Sequence, residues 1–161
     1  MKVGISAVSM DGAKMAVEKE QPAWEFEKTK KQAWERWNKE LSKIKIETSD
    51  DASRKIFYTA LYHTMVAPSL FSDVDGAYRG ADGKVYNKSR NVYTTMSLWD
   101  TYRAAMPLYH IIHPSKRADL INTMLDIFDE QGKLPVWHLM GNETDCMVGN
   151  PGVIAVAETI V

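Results

Sequence analysis

The sequence predicts a mainly helical chain, with about five helices that follow a short β-hairpin. Two observations predict the helices. Apolar side chains recur three and four residues apart in several segments of the 161-residue chain, which places them on one face of a helix. A proline, or a capping residue with an acidic first turn, stands at the start of these segments, as it does at helix N-termini. We expect neighbouring helices to run antiparallel.

The β-hairpin is predicted over residues 3–20. Val3, Ile5 and Ala7 alternate with small or polar residues, and Asp11-Gly12 is a dipeptide that favours a hairpin turn. A single hairpin is only marginally stable in water, so we expect it to belong to a larger sheet or to pack on the helices.

The first two helices are predicted before and after a short connector that ends at residue 47. Pro22 precedes a helical pattern from Ala23 to about Ile44, whose apolar stripe lies opposite a charged, solvated face. Residues 48–51 provide a cap and an acidic first turn for the second helix, which runs to about Met65. The two apolar stripes are Trp34, Trp37, Leu41 and Ile44, and then Ile56, Phe57, Ala60, Leu61 and Met65.

Prolines and glycines divide the remaining chain. Pro107 is expected to kink the third helix or to split it at Met106, because proline lacks the backbone donor that a helix interior needs. Pro114 and Gly132 are residues typical of a helix start and a helix end. The predicted elements are a polar loop over residues 69–95, helices over residues 98–112 and 114–132, and a last helix from about Val153.

Charge and cysteine content exclude several classes of partner and site. The 20 basic and 21 acidic side chains give a net charge of −1, so we expect no basic surface for a nucleic acid. No apolar run approaches the roughly 18–20 residues that span a bilayer. The first residues also lack the apolar core of a signal peptide. The single Cys146 excludes an intramolecular disulfide and a cysteine zinc cluster.

The segment with the most chemically versatile side chains is LPVWHLMGNETDCMVGNPG, residues 134–152. It places Trp137, Glu143 and Asp145 in a glycine-flanked loop between two helices. A carboxyl beside apolar bulk is suited to general-acid catalysis, because desolvation favours the protonated form. Glu143 is therefore a candidate catalytic acid. The alternative is a loop carboxylate that caps the following helix, a role that fits Asp145 better.

A second candidate segment is TTMSLWDTYRA, residues 94–104. Sugar sites combine an aromatic plane, which packs on the C–H face of the sugar, with charged groups that bind hydroxyls. Trp99 and Asp100 offer that combination. The alternative is that Asp100 forms an ion pair with Arg103, three residues further along the same helix.

We predict no metal site in this chain. His110 and His113 are three residues apart and could share a metal, but no third ligand is evident. The aspartates of the 69–95 loop lack the spacing of an EF-hand calcium loop.

Three segments occur in a fixed order along the chain. They are YTALYHTMVAPSLFSDVDGAYRG (residues 58–80), YTTMSLWDTYRAAMPL (residues 93–108) and the 134–152 segment. Together they closely resemble the catalytic domain of glycoside hydrolase family 92, the calcium-dependent exo-acting α-mannosidases common in gut Bacteroidetes. The resemblance covers essentially the whole chain.

The resemblance implies a fold. Family members have an N-terminal β-sandwich and a C-terminal (α/α)6 toroid. By the resemblance, residues 1–21 are the edge of the sandwich, residues 22–47 a linker helix, and residues 48–161 the first part of a truncated toroid. The remainder of the parent polypeptide is then a partner of this chain.

The resemblance also implies an activity, that of an inverting exo-α-mannosidase of α-1,2 type acting on glycans such as N-glycans. Glu143 falls on the family's general acid, and Trp99, Asp100 and Trp137 fall on residues expected to bind mannose. The catalytic base and the calcium ligands are expected outside this chain, so the isolated chain is expected to be inactive. The parent is expected in the periplasm or outside the cell.

A non-catalytic function is the alternative. A helical module could bind sugar without cleaving it, or pack against a partner protein. Part of a helical array exposes apolar faces that the rest would cover, and large apolar patches drive association. Self-association is therefore expected for the isolated chain.

Overall fold

The computed structural model describes residues 1–159, and this part of the chain contains seven helices and seven short strands. The helices are α1 (Met10–Glu20), α2 (Phe26–Leu41), α3 (Asp51–Thr64), α4 (Leu98–Thr101), α5 (Ala105–Ile112), α6 (Pro114–Gln131) and α7 (Pro151–Ala157). The strands are β1 (Ser69–Leu70), β2 (Ala77–Arg79), β3 (Val85–Asn87), β4 (Tyr93–Thr94), β5 (Met96–Ser97), β6 (Trp137–Leu139) and β7 (Asn142–Glu143). The chain is thus mainly helical, as predicted. None of the described helices combines the length and the hydropathy needed to cross a membrane.

Helix α6 is the centre of the core. Pro114 begins it, and Gly132 ends it in the left-handed conformation that favours glycine (φ 78°). Its buried apolar face packs against α5, α7 and β4, in a core that also includes Met96 of β5, and burial of this apolar area stabilises the fold. The core consists of Tyr93, Met96, Leu98, Met106, Tyr109, Leu120, Ile121, Met124, Ile127 and Ala155.

The hairpin predicted for residues 3–20 is wrong, because residues 10–20 form helix α1. Ser9 is the N-cap, and its Oγ accepts a hydrogen bond from the backbone N–H of Gly12 (3.0 Å). Asp11 and Gly12 therefore lie in the first turn of a helix. A Cβ at Gly12 would lie 2.4 Å from the Asp73 carboxylate, so the glycine permits a close approach to the 69–95 loop.

The helical patterns of the other segments are confirmed. The predicted helices over residues 23–44, 51–65 and 114–132 are α2, α3 and α6, and Asp50 caps α3 through hydrogen bonds from Ala52 N and Ser53 N. The helix predicted over residues 98–112 is split into α4 and α5, but the break lies at residues 102–104 and not at Met106 as predicted. Pro107 stands in the first turn of α5, where a missing backbone donor costs nothing because these N–H groups have no intrahelical acceptor. The last helix begins at Pro151.

The polar 69–95 segment is more ordered than predicted. It contains β1, which pairs with β4, and an antiparallel hairpin formed by β2 and β3. The acidic flank of α6 anchors this hairpin: Asp126 pairs with Lys88 and Arg90, while Glu130 accepts hydrogen bonds from the Tyr78 hydroxyl (2.7 Å) and from Ala81 N (2.8 Å). Burial and the bond to Glu130 raise the pKa of Tyr78.

The divisions after residues 21 and 47 stay predictions, and so does the (α/α)6 toroid. The described helices include α5 and α7 packed on α6 around a common core.

Replacing Leu120 by alanine is expected to lower the free energy of unfolding by about 3 kcal/mol, because its side chain is fully buried in the α6 face. Leu125→Ala is the matched control on the same helix, since Leu125 is 43% exposed, and it should cost less than about 1 kcal/mol. Urea denaturation followed by circular dichroism measures both. Equal costs would contradict the assignment of α6 as the core helix.

Candidate functional site

Strands β5, β6 and β7 form a three-stranded antiparallel sheet that carries the predicted site. Ser97 pairs with Trp137, and His138 pairs with both Met96 and Glu143. The 94–104 and 134–152 segments, which lie about 40 residues apart in sequence, therefore meet at neighbouring strands of one sheet.

The turn between β6 and β7 is built from Met140 and Gly141. Both have positive φ (51° and 76°), which is the geometry of a type I′ two-residue hairpin turn. A Cβ at Gly141 would also lie 3.0 Å from the carbonyl oxygen of Arg79, so glycine meets two requirements there. This turn fixes the register that places Glu143 opposite His138.

Glu143 is 7% exposed, and its carboxylate accepts hydrogen bonds from three backbone N–H groups. Oε2 accepts from Val136 N (2.8 Å), Oε1 accepts from Trp137 N (3.0 Å), and the N–H of Asp145 lies 3.3 Å from Oε1. These donors satisfy a buried carboxylate, which would otherwise be costly. The carboxylate of Glu143, in β7, thus binds the backbone of Val136 and Trp137 at the start of the same hairpin.

Trp99 and Asp100 lie in the short helix α4, which begins at Leu98 directly after β5. The backbone N–H of Trp99 donates to the carbonyl of Val136 (3.3 Å), whose own N–H binds Glu143. The structure therefore brings Trp99, Asp100, Trp137 and Glu143 to the same region of the sheet. The side chains of Trp99 and Asp100 are exposed, and that of Trp137 is half-buried.

The structure shows which groups the carboxylates of Glu143, Asp145 and Asp100 contact. Glu143 binds the strand that precedes it instead of capping α7. Asp145 does not cap α7 either; it has a positive φ (52°), and its carboxylate pairs with Lys133. Among the described residues Asp100 forms no ion pair with Arg103, whose Nε donates to the Tyr102 hydroxyl (2.6 Å).

His138 is a residue whose importance the sequence analysis missed. It is 2% exposed, and its Nδ1 lies 3.4 Å from the Thr94 hydroxyl, which accepts a hydrogen bond from Met140 N (2.6 Å). Burial lowers the pKa of His138 to about 4, against the opposing charge of Glu143, so the ring is neutral at pH 7. The alternation of Trp137, His138 and Leu139 in a strand was the signal that could have predicted an inward-facing imidazole.

Three non-glycine residues with positive φ lie around this sheet. They are Thr95, which separates β4 from β5, Met140 in the turn, and Asp145 just after β7. Such conformations are costly and tend to occur at functional sites, where surrounding structure holds them. Their position favours the sheet as the functional region of the chain.

Larger cavities among the described residues lie away from this sheet. One of about 670 Å³ is lined by residues 1–5, by α1 and by residues 20–29, and a groove of about 460 Å³ lies between α2 and the start of α6. Next to the sheet there is a small cavity of about 10 Å³ beneath His138.

The residues described here do not form a metal site. Within residues 1–159, no three His, Cys, Asp or Glu side chains come close enough to hold a metal ion. Asp75 and Asp82 each accept a backbone N–H two residues further on (Ala77 and Lys84), so they shape turns. This part of the chain therefore does not fit the calcium that the resemblance implies.

The comparison with known families gives a match over nearly the entire chain. The model of the glycosyl hydrolase family 92 catalytic domain matches residues 12–161. No curated protein matches the chain.

The chain is also similar to solved structures. A family GH92 α-mannosidase from Bacteroides thetaiotaomicron is 38% identical, with a TM-score of 0.91 over 96% of this chain and 21% of that one, and it has also been solved in complex with mannoimidazole. A family GH92 inverting mannosidase from the same organism is 26% identical, with a TM-score of 0.89 over 96% of this chain and 21% of that one. The chain thus spans about a fifth of the length of the structures that it matches.

Gly141→Ala is expected to lower the free energy of unfolding by about 2 kcal/mol, because alanine is strained at φ 76° and its Cβ would crowd the Arg79 carbonyl. Gly83→Ala is the control. Gly83 has a similar φ (79°) but no neighbouring atom within 4 Å, so only the strain of about 1 kcal/mol should appear. Thermal unfolding measures both, and an equal loss would contradict the close approach of Arg79 to the turn.

His138 is expected to make the chain less stable as the pH falls from 6.5 to 4. Because the folded pKa is below the unfolded value of 6.5, the unfolded chain takes up a proton that the folded chain excludes. The loss reaches roughly 3 kcal/mol at pH 4. Urea titrations at several pH values should show a smaller loss for His138→Gln and an unchanged one for His110→Gln, whose side chain is exposed. Parallel pH profiles for wild type and His138→Gln would contradict a buried neutral imidazole.

Proposed function

Because this chain belongs to glycosyl hydrolase family 92, we propose that it is part of a longer α-mannosidase that removes terminal mannose from glycans. The observation that carries the proposal is the sheet that joins Glu143, Trp137, Trp99 and Asp100. The relatives described as mannosidases, one of them bound to mannoimidazole, support a sugar substrate.

Glu143 is proposed as the general acid. In an inverting mechanism one carboxyl group protonates the oxygen of the leaving group while a second, roughly 6.5–9.5 Å away, removes a proton from the attacking water. The second carboxyl is proposed to come from outside this chain, so the chain alone is proposed to be inactive. The relative described as inverting supports this stereochemistry.

The hydrogen bonds of Glu143 must change if this residue is to act as an acid. The N–H groups of Val136 and Trp137 occupy lone pairs of the ionised carboxylate. An acid must carry a proton on one oxygen and direct it at the glycosidic oxygen. We propose that one oxygen keeps its backbone donors while the other takes up a proton from solvent before the glycosidic bond breaks, since a carboxyl group has separate acceptor sites on its two oxygens.

The mannose is proposed to bind between the exposed side chains of Trp99 and Asp100 and the half-buried Trp137. An indole plane packs on the C–H face of a sugar, and a carboxylate accepts hydrogen bonds from two of its hydroxyls. The connection from Trp99 N to the Val136 carbonyl keeps this aromatic residue beside the strand that Glu143 holds.

Three further features are proposed for the longer protein on the family resemblance. They are a linkage preference of α-1,2 type with N-glycans among the substrates, a calcium ion held by residues outside this chain, and a periplasmic or secreted location.

The second candidate is a non-catalytic module that binds sugar or a protein partner, including a second copy of this chain. The observation that favours it is the number of large apolar side chains on the surface of α1, α2 and their flanks, among them Trp24, Phe26 and Trp34. Light scattering would show self-association as a mass that increases with concentration.

The acid role of Glu143 can be tested in a chimera in which this chain replaces the matching segment of the Bacteroides α-mannosidase, which is 38% identical. Glu143→Gln is expected to lower kcat on α-mannobiose by about 100-fold or more, because the amide has no proton to give to a poor leaving group. On an activated aryl mannoside the loss should be much smaller, since that leaving group departs without protonation.

Asp145→Asn is the matched control in the same chimera. Asp145 is a neighbouring carboxylate that is exposed and paired with Lys133, and its amide variant should keep the chimera's activity. Equal losses for both variants, or an active Glu143→Gln chimera on α-mannobiose, would contradict the role of Glu143. Turnover of α-mannobiose by the isolated chain would contradict the proposal that the base lies elsewhere.

A further inference from the structure

Two buried polar side chains, those of Thr94 and His138, meet beside the β6–β7 hairpin. Thr94 is the last residue of β4, and His138 is the central residue of β6. Thr94 is 1% exposed and His138 is 2% exposed. The Oγ1 of Thr94 lies 3.4 Å from the Nδ1 of His138, which is within reach of a hydrogen bond. Strand β4 and the hairpin are therefore joined by a polar contact inside the protein.

The direction of this hydrogen bond follows from the other partner of Thr94. Its Oγ1 accepts a hydrogen bond from the N–H of Met140 (2.6 Å). The hydroxyl proton also needs an acceptor, because the group is buried, and Nδ1 of His138 is the acceptor that the described residues offer. The neutral ring then carries its own proton on Nε2. The lowered pKa of His138 agrees with a neutral ring at pH 7.

The pair is connected to Glu143 through the turn. Met140, whose N–H binds the Thr94 hydroxyl, is the first residue of the two-residue turn between β6 and β7. This turn sets the register of the two strands. A shift of the Thr94 hydroxyl would therefore be passed to Met140 and from there to the strand that carries Glu143.

His138 is also the direct cross-strand neighbour of Glu143. The next pair along the ladder is Trp137 and Thr144, joined by a hydrogen bond from Thr144 N to the Trp137 carbonyl (3.3 Å). Hydrogen-bonded and non-hydrogen-bonded pairs alternate in an antiparallel ladder, so His138 and Glu143 form a non-hydrogen-bonded pair. Side chains stand closest together in such a pair. The imidazole thus lies next to the side chain of the proposed acid.

Stability alone does not explain a histidine at position 138. Its Nε2 is buried and forms no hydrogen bond with any residue in 1–159. A buried donor without a partner costs stability, and an apolar side chain of similar volume would avoid that cost. The residue therefore points to a role other than packing.

We propose that Thr94 and His138 are positioning residues for the general acid: the imidazole orients the Thr94 hydroxyl, the hydroxyl holds the turn at Met140, and the turn keeps the Glu143 carboxyl where it protonates the leaving oxygen. Both side chains are buried, so they act through Glu143 and do not contact the sugar. The inference rests on the proposed function, because it needs Glu143 to be the acid.

The test uses the chimera described above with two substrates. α-Mannobiose has a poor leaving group that needs the acid, whereas an activated aryl mannoside loses its leaving group without protonation. The ratio of the two kcat values does not depend on how much of the enzyme is folded. His138→Leu should lower kcat on α-mannobiose by about tenfold or more, because a small displacement of the acid is costly, and change kcat on the aryl mannoside by less than about twofold. KM should stay the same for both substrates.

Two further variants test the hydrogen bond itself. His138→Asn places an amide oxygen near the position of Nδ1, so the Thr94 hydroxyl keeps an acceptor and the kcat ratio should return to within about threefold of wild type. Thr94→Val keeps the shape of the side chain but removes the hydroxyl, and it should lower the ratio as His138→Leu does. The double variant should lose no more than either single variant, because the two residues act as a unit.

Thr123→Val is the matched control. Thr123 is also 1% exposed, and its hydroxyl donates to the Asp119 carbonyl (2.7 Å) within α6. Its Oγ1 also accepts from Tyr93 N (3.4 Å), next to Thr94, so a general loosening of this region would appear in the control as well. We expect an unchanged kcat ratio.

The outcomes separate this inference from the acid role of Glu143. A wild-type ratio in His138→Leu, or an equally low ratio in Thr123→Val, would overturn the positioning role, while a low ratio in Glu143→Gln would still support the acid. Failure of His138→Asn to restore the ratio would also overturn the positioning role, and so would additive losses in the double variant. An unchanged ratio in Glu143→Gln would overturn both proposals.

Discussion

The carboxylate of Glu143 accepts hydrogen bonds from the backbone amides of Val136 and Trp137, and the geometry of the candidate site depends on these bonds. A buried charge requires such partners, so the side chain and the strand before it fix each other. The carbonyl of Val136, in the same peptide group as the Trp137 N–H, accepts a hydrogen bond from Trp99 N, and this connection extends the constraint to α4. Glu143 thus constrains the strand before it and, through the Val136 carbonyl, the backbone at Trp99.

The β6–β7 hairpin that carries Glu143 is connected to α6 through the β2–β3 hairpin. The buried face of this helix forms the core, and its acidic flank holds the β2–β3 hairpin through Glu130, which binds the Tyr78 hydroxyl and Ala81 N. The next residue along β2, Arg79, contributes the carbonyl that lies against Gly141. A continuous series of contacts therefore connects the centre of the core with the turn that sets the position of Glu143.

Sequence patterns predicted those parts of the chain in which local signals act alone. Helical spacing located α2, α3 and α6, and residues 48–51 were identified as the cap and first turn of α3 because the side-chain bonds of a cap are local. The pattern failed at Asp11-Gly12, since the dipeptide's turn preference was outweighed by the Ser9 cap and by a contact with Asp73, 61 positions away. The segments of the site were identified from their residue types and from family resemblance. The backbone partners of Glu143 were not, because they arise from strand pairing, which no local pattern specifies. The burial of His138 did have a local signal, the alternation of residues 137–139, but that signal was not used.

Helix α2 differs from α6 in how it is held. Of its residues, all of which the structure describes, none is buried, and its C-terminal half contacts the rest of the chain through the Trp37–Tyr62 ring pair and the Glu40–His113 pair. Stability within a protein is uneven, and elements with few buried contacts open at a free-energy cost well below that of global unfolding. In hydrogen exchange, the amides of α2 should therefore lose protection as a separate unit, before those of α6. The Trp37–Tyr62 and Glu40–His113 contacts would break together when that unit opens, so a substitution at either contact should speed exchange along the whole helix.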